Sequence, residues 1–182
     1  GTGVVGERFN EKNIKIIAND FLASNYMPLK TFLGISEISF EEIEKKINLL
    51  NNLESNSDNY FSEHFSKTYF TLENARKIGA IREKIDEIAK NENEKAVLIT
   101  ALLYAVDKVA NTVGHYDAYR KKLDTVQPLR LLIPDFEPEN NSNNEIYNED
   151  ANQLIRKISC DVLYIDHPYN SRKYSDAYHL LE

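Results

Sequence analysis

The residues with the clearest chemical potential lie close to the end of the chain, in the sequence Asp166-His167-Pro168-Tyr169. They follow a short apolar run, residues 161–166, which ends in an acid. That pattern is typical of a buried parallel strand where it emerges at its carboxyl end, and open α/β sheets bind their ligands there. A carboxylate, a rigid turn and an aromatic ring placed side by side would suit a planar ring that carries an amine.

This stretch resembles motif IV, D-P-P-Y, of the DNA adenine methyltransferases that use S-adenosyl-L-methionine. The similarity continues through residues 168–174 and 178–182, where it is to the bacterial Dam-like (D12) class of type II restriction-modification systems. His167 departs from the motif, since it stands where the family has proline. The resemblance implies a site-specific enzyme that transfers a methyl group from S-adenosyl-L-methionine to the exocyclic amine of adenine in double-stranded DNA.

The same resemblance gives each motif residue a role. Adenine must be flipped out of the duplex, because its amine is out of reach inside the double helix. Asp166 would accept one amine hydrogen and the carbonyl of His167 the other, which frees the nitrogen lone pair for methyl transfer. Tyr169 would stack on the flipped ring, and Pro168 would stiffen the turn. Catalysis would then depend on positioning and electrostatics, without a metal ion.

The chain opens with a glycine-rich turn, which allows the backbone to approach a ligand closely. The turn is similar to the second half of motif I, F-x-G-x-G, of the same family, which makes Gly1 and Gly3 predicted cofactor-binding residues. After it, Val4, Val5 and Phe9 are predicted to form the apolar face of a helix. Because the strand and the aromatic residue that precede these glycines in the family are missing, the chain is predicted to start inside its cofactor loop.

Two further acids are candidate cofactor ligands. Residues 14–20 are predicted as a strand that ends in Asp20, and in adenosine-binding α/β folds an acid at the tip of the second strand accepts hydrogen bonds from both ribose hydroxyls. Asp150 lies where the family places an acid that contacts the adenine amine of the cofactor, and Asp166 is predicted to line the same site. Asp20 and Asp150 each have an alternative role as the cap of the helix that follows.

The last part of the chain is predicted to return to the sheet. Residues 145–148 are predicted as a strand, residues 150–158 as a helix and residues 161–166 as the next parallel strand, with the right-handed crossover of doubly wound folds. Residues 135–144 are polar and rich in asparagine, which predicts an exposed loop. Cys160 precedes the last strand and is predicted to be a small buried hydrophobe.

Residues 36–138 differ from both ends in showing helical periodicity, which predicts three helices. Ser39 and Glu42 form a capping box at the start of the first, and residues 51–59 are too polar to continue it. The apolar stripes expected to build the core are Ile43, Ile47 and Leu50, then Ile78, Ile81, Ile85 and Ile88, then Val97, Ala101, Leu102, Ala105 and Val109.

Residues 114–122 combine aromatic rings with cations, which suits DNA because rings stack on bases while cations hold phosphates. An ordinary solvated face is the alternative for these cations. The net charge of -7 means that contact with DNA must come from such local patches. The predicted DNA-binding residues are Tyr116, Arg120, Lys121 and Lys122 in this stretch, and Asn170, Arg172 and Lys173 beside motif IV.

The 182 residues, 42% of them hydrophobic, suffice for one core. The predicted fold is α/β, a Rossmann-like S-adenosyl-L-methionine-dependent methyltransferase fold with an incomplete sheet. Residues 1–35 would start the methyltransferase domain, residues 36–138 would form a large, mainly helical insertion, and residues 139–182 would return to the sheet. The absence of a long apolar run or a leader predicts a cytoplasmic protein without a membrane span. No Cys/His cluster has the spacing of a metal site.

Three functions compete on the sequence alone. They are a DNA adenine methyltransferase, a related methyltransferase that acts on RNA or protein glutamine, and a truncated or decayed domain that only binds DNA or a protein. The expected partners are double-stranded DNA with a flipped adenine, a restriction endonuclease of the same system, and an oligomer or a chain that completes the sheet. The 182-residue chain by itself is expected to bind S-adenosyl-L-methionine weakly and to be inactive, because strands would be missing at either side.

Overall fold

The structure is a computed structural model, and it describes residues 3–116, 118–122, 127–166 and 179–181. None of the helices in these ranges is long and apolar enough to cross a membrane. The elements, in chain order, are α1 (Val4–Asn10), β1 (Ile17–Asn19), α2 (Ala23–Leu29), a π-helical turn (Lys30–Gly34), α3 (Phe40–Asn51), α4 (Tyr60–Phe65), α5 (Leu72–Ile88), α6 (Glu92–Val109), a 3-10 turn (Pro138–Asn140), β2 (Glu145–Tyr147) and α7 (Ala151–Leu154).

The two strands pair in parallel, which confirms a mixed helix-and-strand chain with a small parallel sheet. Ile17 lies opposite Glu145, and Asn19 lies opposite Tyr147. The strands expected in these two places are therefore present, although each is only three residues long. Parallel strands must be joined by a long crossover connection. Here that crossover contains helices α2 to α6.

Residues 161–166 differ from the prediction of a buried strand. The structure places them in irregular backbone, with Val162 84% and Ile165 68% exposed. Cys160 is likewise exposed, and the helix predicted over residues 150–158 is shortened to α7. A strand buried on both faces needs a neighbouring strand and covering helices. Within the described residues no strand lies beside residues 162–165, so their apolar side chains remain in solvent and the predicted crossover is not formed.

Helices α3, α5 and α6 pack on one another and supply much of the hydrophobic core. Their apolar stripes recur every three to four residues, so one face of each helix can be buried at the shared interface. The predicted stripes are confirmed. Buried members are Ile43, Ile47, Leu50, Ile78, Ile81, Ile85, Val97, Ala101, Leu102 and Ala105, while Ile88 and Val109 are partly buried.

Side-chain caps explain where the helices begin. Ser39 accepts a hydrogen bond from the backbone N–H of Glu42 at 3.3 Å, as its place before α3 predicts. Helix α4 was not predicted. Its cap is reciprocal, because Asn59 Oδ1 accepts from the N–H of Ser62 at 3.0 Å and Ser62 Oγ accepts from the N–H of Asn59 at 2.9 Å. Serine replaces the usual glutamate in this capping box, which hides the signal in the sequence.

An extended segment, residues 127–136, lies across the helices and is held by two asparagines. Asn51 accepts from the N–H of Leu131 at 2.8 Å and donates to its carbonyl at 3.0 Å. Asn74 accepts from the N–H of Leu129 at 3.0 Å and donates to the carbonyl of Gln127 at 2.9 Å. These amides replace the partners that a neighbouring strand would supply. The backbone N–H groups of the buried residues Leu129 and Leu131 are therefore both paired.

The loop expected to be exposed over residues 135–144 is partly buried instead. Phe136 is 9% exposed and belongs to the core, and Asn141 is only 2% exposed. The amide of Asn141 donates to the carbonyl of Phe32 at 3.1 Å and to that of Ile35 at 2.9 Å. A polar residue can be buried when its hydrogen bonds are made inside the protein, and composition alone does not reveal such partners.

A buried ion pair joins α3 to α6. The side chains of Lys46 and Glu94 are 11% and 10% exposed, and the ammonium donates to the carboxylate. The backbone N–H of Lys90 donates to the same carboxylate at 2.7 Å. Burial opposes ionisation of Glu94, but the hydrogen bonds from Lys46 and Lys90 outweigh it, so the pKa of this carboxyl lies below its ordinary value of 4.5.

Replacing Lys46 by alanine is expected to lower the free energy of unfolding at neutral pH by about 3–5 kcal/mol, because the Glu94 carboxylate would stay buried without its ammonium partner. A carboxyl with a lowered folded-state pKa stabilises the fold above its ordinary pKa and loses that contribution as the pH falls. When the pH is lowered below about 5, the free energy of unfolding should therefore fall less in Lys46→Ala than in the parent. Urea denaturation followed by circular dichroism measures both effects.

Lys45→Ala provides the control on the same helix. The side chain of Lys45 is 62% exposed and pairs with exposed acids, so its loss should change the free energy of unfolding by about 0–1 kcal/mol. Equal effects of Lys45→Ala and Lys46→Ala would contradict the buried pair.

Candidate functional site

Polar side chains gather where the two parallel strands end. Asp20 directly follows β1, and its backbone N–H donates to the carbonyl of Tyr147 at 3.3 Å, which extends the ladder past the last paired residue. Asp150 follows β2 by three residues. The carboxyl ends of neighbouring parallel strands meet at one edge of the sheet, so the structure brings these two predicted acids to the same edge.

The Asp20 carboxylate is oriented by the turn that follows β1. It accepts from the backbone N–H of Leu22 at 3.0 Å and from the side-chain amide of Asn25 at 3.1 Å. Helix α2 begins at Ala23 with Leu22 as its N-cap. Asp20 therefore braces the turn before the helix without being its cap, and the side chain is half-buried at the strand edge.

Asp150 is the N-cap of α7. Its carboxylate accepts from the backbone N–H of Asn152 at 2.8 Å, and the residue is exposed. The capping role considered for Asp150 is therefore present. A carboxylate has about four acceptor positions, so capping and ligand binding by one side chain are compatible.

Two asparagines tie the strand ends together, and the sequence pattern did not reveal them. Asn19 accepts from the N–H of Glu149 and donates to its carbonyl, both at 3.0 Å. Asn148 donates to the carbonyls of Asp20 at 2.8 Å and Phe21 at 3.0 Å. The signal that could have found them is their position: Asn19 directly precedes Asp20, and Asn148 lies two residues before Asp150. These bonds fix the backbone that carries Asp20 and Asp150.

Gly3 is the described residue of the glycine-rich turn, since Gly1 lies outside the described residues. Gly3 precedes α1 with φ of 81°, where side chains are disfavoured, and a Cβ on it would lie 2.8 Å from Leu29 Cδ2. The helix approaches the π-helical turn closely at Gly6, where a Cβ would lie 3.0 Å from Leu33 Cδ1. The apolar face predicted for α1 is exposed instead: Val4 is 62%, Val5 41% and Phe9 48% exposed.

Of the four residues of motif IV, the structure describes only Asp166, which is exposed. Beyond it, Leu180 is 6% exposed in the hydrophobic core, and the ring of His179 lies 6.0 Å from Phe65 and 6.2 Å from Tyr69. The chain after the motif therefore packs against the helical part. The remaining predicted site residues of this region, His167, Pro168, Tyr169, Asn170, Arg172 and Lys173, lie outside the described residues.

Tyr116 departs from its expected place at a DNA surface. It is 4% exposed, and its hydroxyl donates to Asp107 at 2.5 Å. Its carbonyl accepts from the hydroxyl of Tyr69 at 2.9 Å. An aromatic ring of this size gains most by burial, and its hydroxyl then needs a partner, which Asp107 provides. The structure gives Tyr116 a supporting position under the loop that follows.

The cations of that loop are exposed, as their expected role requires. Arg120 donates through its N–H to the carbonyl of Asn111 at 3.1 Å, and its carbonyl accepts from the Asn111 side chain at 2.9 Å. Lys121 and Lys122 follow on the surface. Tyr119, which was not predicted, is 51% exposed beside them. The loop therefore presents three cations and one aromatic ring from an anchored backbone.

This cationic loop lies beside the segment that follows motif IV. The centroid of the Tyr69 ring lies 5.5 Å from that of Tyr119, in an edge-on arrangement, and 6.2 Å from that of His179. Tyr69 therefore contacts both the cationic loop and His179, which follows motif IV in the chain. Within the residues that the structure describes, no group of three His, Cys, Asp or Glu side chains is arranged to hold a metal ion.

The whole chain, residues 1–182, matches the family of D12 class N6 adenine-specific DNA methyltransferases, and the protein belongs to that family. It is 38% identical to the type II methyltransferase M.FokI of Planomicrobium okeanokoites over its full length, which covers 31% of that protein. It is 36% identical to the type II methyltransferase M.NlaIII of Neisseria lactamica, covering 57% of it, and 36% identical to the modification methylase StsI of Streptococcus sanguinis, covering 30%. The chain thus spans between about a third and somewhat over half of these relatives. No solved structure matches it significantly.

Tyr116→Phe tests the supporting position of Tyr116. Loss of the hydroxyl bond to Asp107 should lower the free energy of unfolding by about 1.5 kcal/mol, the lower end of the range for a hydrogen bond to a charged group. The affinity for duplex DNA should remain that of the parent. Urea denaturation and fluorescence anisotropy with labelled DNA measure the two quantities. Tyr60→Phe, on a ring that is 70% exposed, should change neither, and a large loss of DNA affinity in Tyr116→Phe would contradict this assignment.

Proposed function

We propose that the protein containing this chain transfers a methyl group from S-adenosyl-L-methionine to the exocyclic amine of adenine in duplex DNA, as the modification enzyme of a type II restriction-modification system. The observation that carries the proposal is the match of residues 1–182 to the D12 family. Relatives that bear the names of type II methyltransferases support it. A restriction endonuclease of the same sequence specificity would be its functional partner in the cell, and a DNA-modifying enzyme of this kind would work in the cytoplasm.

We propose further that the two-stranded sheet is part of a Rossmann-like fold, with residues 36–138 as its helical insertion. The parallel pairing of β1 and β2 supports this, as does the placing of Asp20 and Asp150 after their carboxyl ends. The exposed apolar residues 162–165 would be covered in the complete protein by further strands of the longer chain or by another chain.

The cofactor would bind at the edge where the strands end. The donor set there fits it, because Asp20 and Asp150 provide carboxylates for ribose hydroxyls and for the adenine amine, and the left-handed backbone at Gly3 allows a close approach by the ligand. Gly1, by its sequence position, and Asp166 would complete the site. When bound, S-adenosyl-L-methionine supplies an electrophilic methyl group on its sulfonium.

The chain's own catalytic residues would act on the target adenine. Asp166 would accept one hydrogen of the amine and the carbonyl of His167 the other, which draws the nitrogen lone pair out of conjugation with the ring. Tyr169 would stack on the flipped base, and Pro168 would hold the turn. Since the proposed acceptor at position 167 is the backbone carbonyl, histidine in place of proline would change the rigidity of the turn and keep the acceptor.

DNA phosphates would contact two groups of cations. The first is the exposed loop with Arg120, Lys121 and Lys122, which Tyr116 supports from below. The second lies beside motif IV in the sequence. Because the chain as a whole is acidic, with a net charge of -7, such local groups must supply the electrostatic part of DNA affinity. The cations of the second group are Arg172 and Lys173, and the neutral amide of Asn170 would contact the DNA next to them.

The decisive experiment is a tritium-transfer assay with the full-length protein and three acceptors: unmethylated bacterial DNA, tRNA and a protein extract. Methylation of adenine in DNA alone is the expected result. Transfer to tRNA or to protein would favour a related methyltransferase. Absence of both transfer and cofactor binding, by calorimetry, would favour a domain that only binds DNA or a protein.

Asp166→Ala identifies the catalytic acceptor in the same assay. Loss of one preorganised acceptor should raise the barrier of the chemical step by at least about 2.7 kcal/mol, or roughly a hundredfold in kcat. DNA affinity should stay near that of the parent, since the carboxylate adds no phosphate contact. Single-turnover methylation and DNA anisotropy measure the two effects. A parental rate in Asp166→Ala would remove Asp166 from the catalytic site.

Asp20→Asn separates cofactor binding from the structural role of Asp20. The amide oxygen can still accept from the N–H of Leu22, but the amide nitrogen cannot accept from Asn25, so the free energy of unfolding should fall by about 1 kcal/mol. The amide group cannot accept from both ribose hydroxyls, so the Kd for S-adenosyl-L-methionine should rise roughly tenfold or more. Isothermal calorimetry measures the Kd, and Asp135→Asn, at an exposed acid of the 127–136 segment, is the matched control. An unchanged Kd in Asp20→Asn would leave Asp20 with only its role in the turn.

A further inference from the structure

Three asparagines form a hydrogen-bonded network at the amino ends of the two strands, opposite the proposed cofactor edge. Asn10, the last residue of α1, donates to Asn141 Oδ1 at 2.6 Å. Asn144 donates to Asn10 Oδ1 at 2.9 Å. Asn10 and Asn141 are 6% and 2% exposed, and Asn144 is half-buried. We call Asn10, Asn141 and Asn144 the asparagine network.

The network also bonds to the backbone of the π-helical turn and of the residue that follows it. Asn141 donates to the carbonyls of Phe32 and Ile35, and Asn144 donates to the carbonyl of Leu33 at 2.9 Å. One set of side chains therefore connects the end of α1, this turn and the start of β2. Among the described residues, no buried side-chain nitrogen or oxygen lacks a partner, so each buried polar atom of the network makes at least one hydrogen bond.

One further hydrogen bond of the network is made to Ile16, the residue that precedes β1. Asn144 Oδ1 accepts from the backbone N–H of Ile16 at 2.8 Å, and the next residue, Glu145, donates through its N–H to the carbonyl of Ile16 at 2.9 Å. On the surface, Lys15 pairs with the Glu145 carboxylate. Asn144 thus makes the side-chain bond at the point where the parallel ladder begins.

A parallel ladder this short needs side-chain hydrogen bonds that fix its register. Each strand has three residues, and an isolated pair of short strands is marginally stable. A shift of one residue would move one strand by about 3.3 Å along the other and turn its side chains to the opposite face. The offset between Asp20, one residue past β1, and Asp150, three residues past β2, would then change at the carboxyl edge. Asparagine suits the task because its amide accepts from an N–H while it donates to a carbonyl.

We infer that the asparagine network is a positioning device for the cofactor site: Asn144, supported by Asn10 and Asn141, sets the register of β1 on β2 and thereby the relative positions of Asp20 and Asp150. The inference rests on the proposed function, since it gives those two acids the cofactor as ligand. Its residues lie at the amino ends of the strands, away from the proposed cofactor edge. They act through the strands, over the length of the paired segment.

The test uses the full-length protein with Asn144→Ala. The KM for S-adenosyl-L-methionine should rise about tenfold or more, the scale on which one buried hydrogen bond contributes. The kcat at saturating cofactor and the KM for DNA should stay close to those of the parent, because Asn144 bonds to α1, the π-helical turn and Ile16, while Asn111 anchors the cationic loop separately. A calorimetric Kd for the cofactor, measured on the same samples, should rise in parallel.

Asn74→Ala is the matched control. Asn74 is 4% exposed and makes the same kind of amide bridge to backbone, but in the helical part, where it holds residues 127–129. The Asn74→Ala variant should lower the melting temperature about as much as Asn144→Ala does, without changing the KM for the cofactor. If Asn144→Ala does not yield folded protein, Asn10→Ala carries the test, because it removes one member of the network and leaves the Asn144–Ile16 bond. A smaller rise in the same KM is expected there.

Two results would overturn the inference alone. One is an unchanged cofactor KM in the folded variants, and the other is an equal rise in Asn74→Ala, which would mean that general destabilisation is the cause. A parental protein that does not bind S-adenosyl-L-methionine at all would overturn the proposed function, and the inference with it. Cofactor binding by the parent therefore tells the two failures apart.

Discussion

The parallel pairing of β1 with β2 is the constraint on which the rest of this structure depends. Parallel neighbours cannot be joined by a tight turn, and here the connection holds helices α2 to α6 before the chain comes back to pair. Only three residues on each strand form the ladder. The pairing is therefore held by side chains at both ends, with the asparagine network at the amino end and the bonds of Asn19 and Asn148 at the carboxyl end.

The helical part reaches its stability by a different route. Helices α3, α5 and α6 bury continuous apolar stripes against one another, and the extended segment 127–136 closes the core. Burial of apolar surface is the main stabilising contribution, but it brings backbone amides and charges into the interior. Asn51 and Asn74 satisfy the amides, and the Lys46–Glu94 pair satisfies the charges. This part supplies a rigid support for the loop that carries the exposed cations.

The two parts meet close to the proposed chemistry. Tyr69 lies between the ring of Tyr119, on the cationic loop, and that of His179, which follows motif IV. The acids proposed to bind the cofactor, Asp20 and Asp150, lie instead at the end of the sheet. The proposed function would give this division a meaning, because an adenine methyltransferase must hold a nucleoside cofactor at one place and a duplex at another. The asparagine network would serve the first place and the aromatic contacts of Tyr69 the second.

The sequence by itself determined the family, the parallel strands around Ile17 and Ile146, the helical stripes and the acids at the strand ends. These follow from local periodicity, from capping residues and from motifs whose members are close in the chain. Tertiary structure decided what depends on distant partners. Tyr116 is buried because Asp107 and Tyr69 bond it, Asn141 because it meets carbonyls far away in the chain, and Val162 is exposed because no described strand lies beside it. In each case the presence or absence of a tertiary partner sets the free energy of burial, and a local pattern carries no information about it.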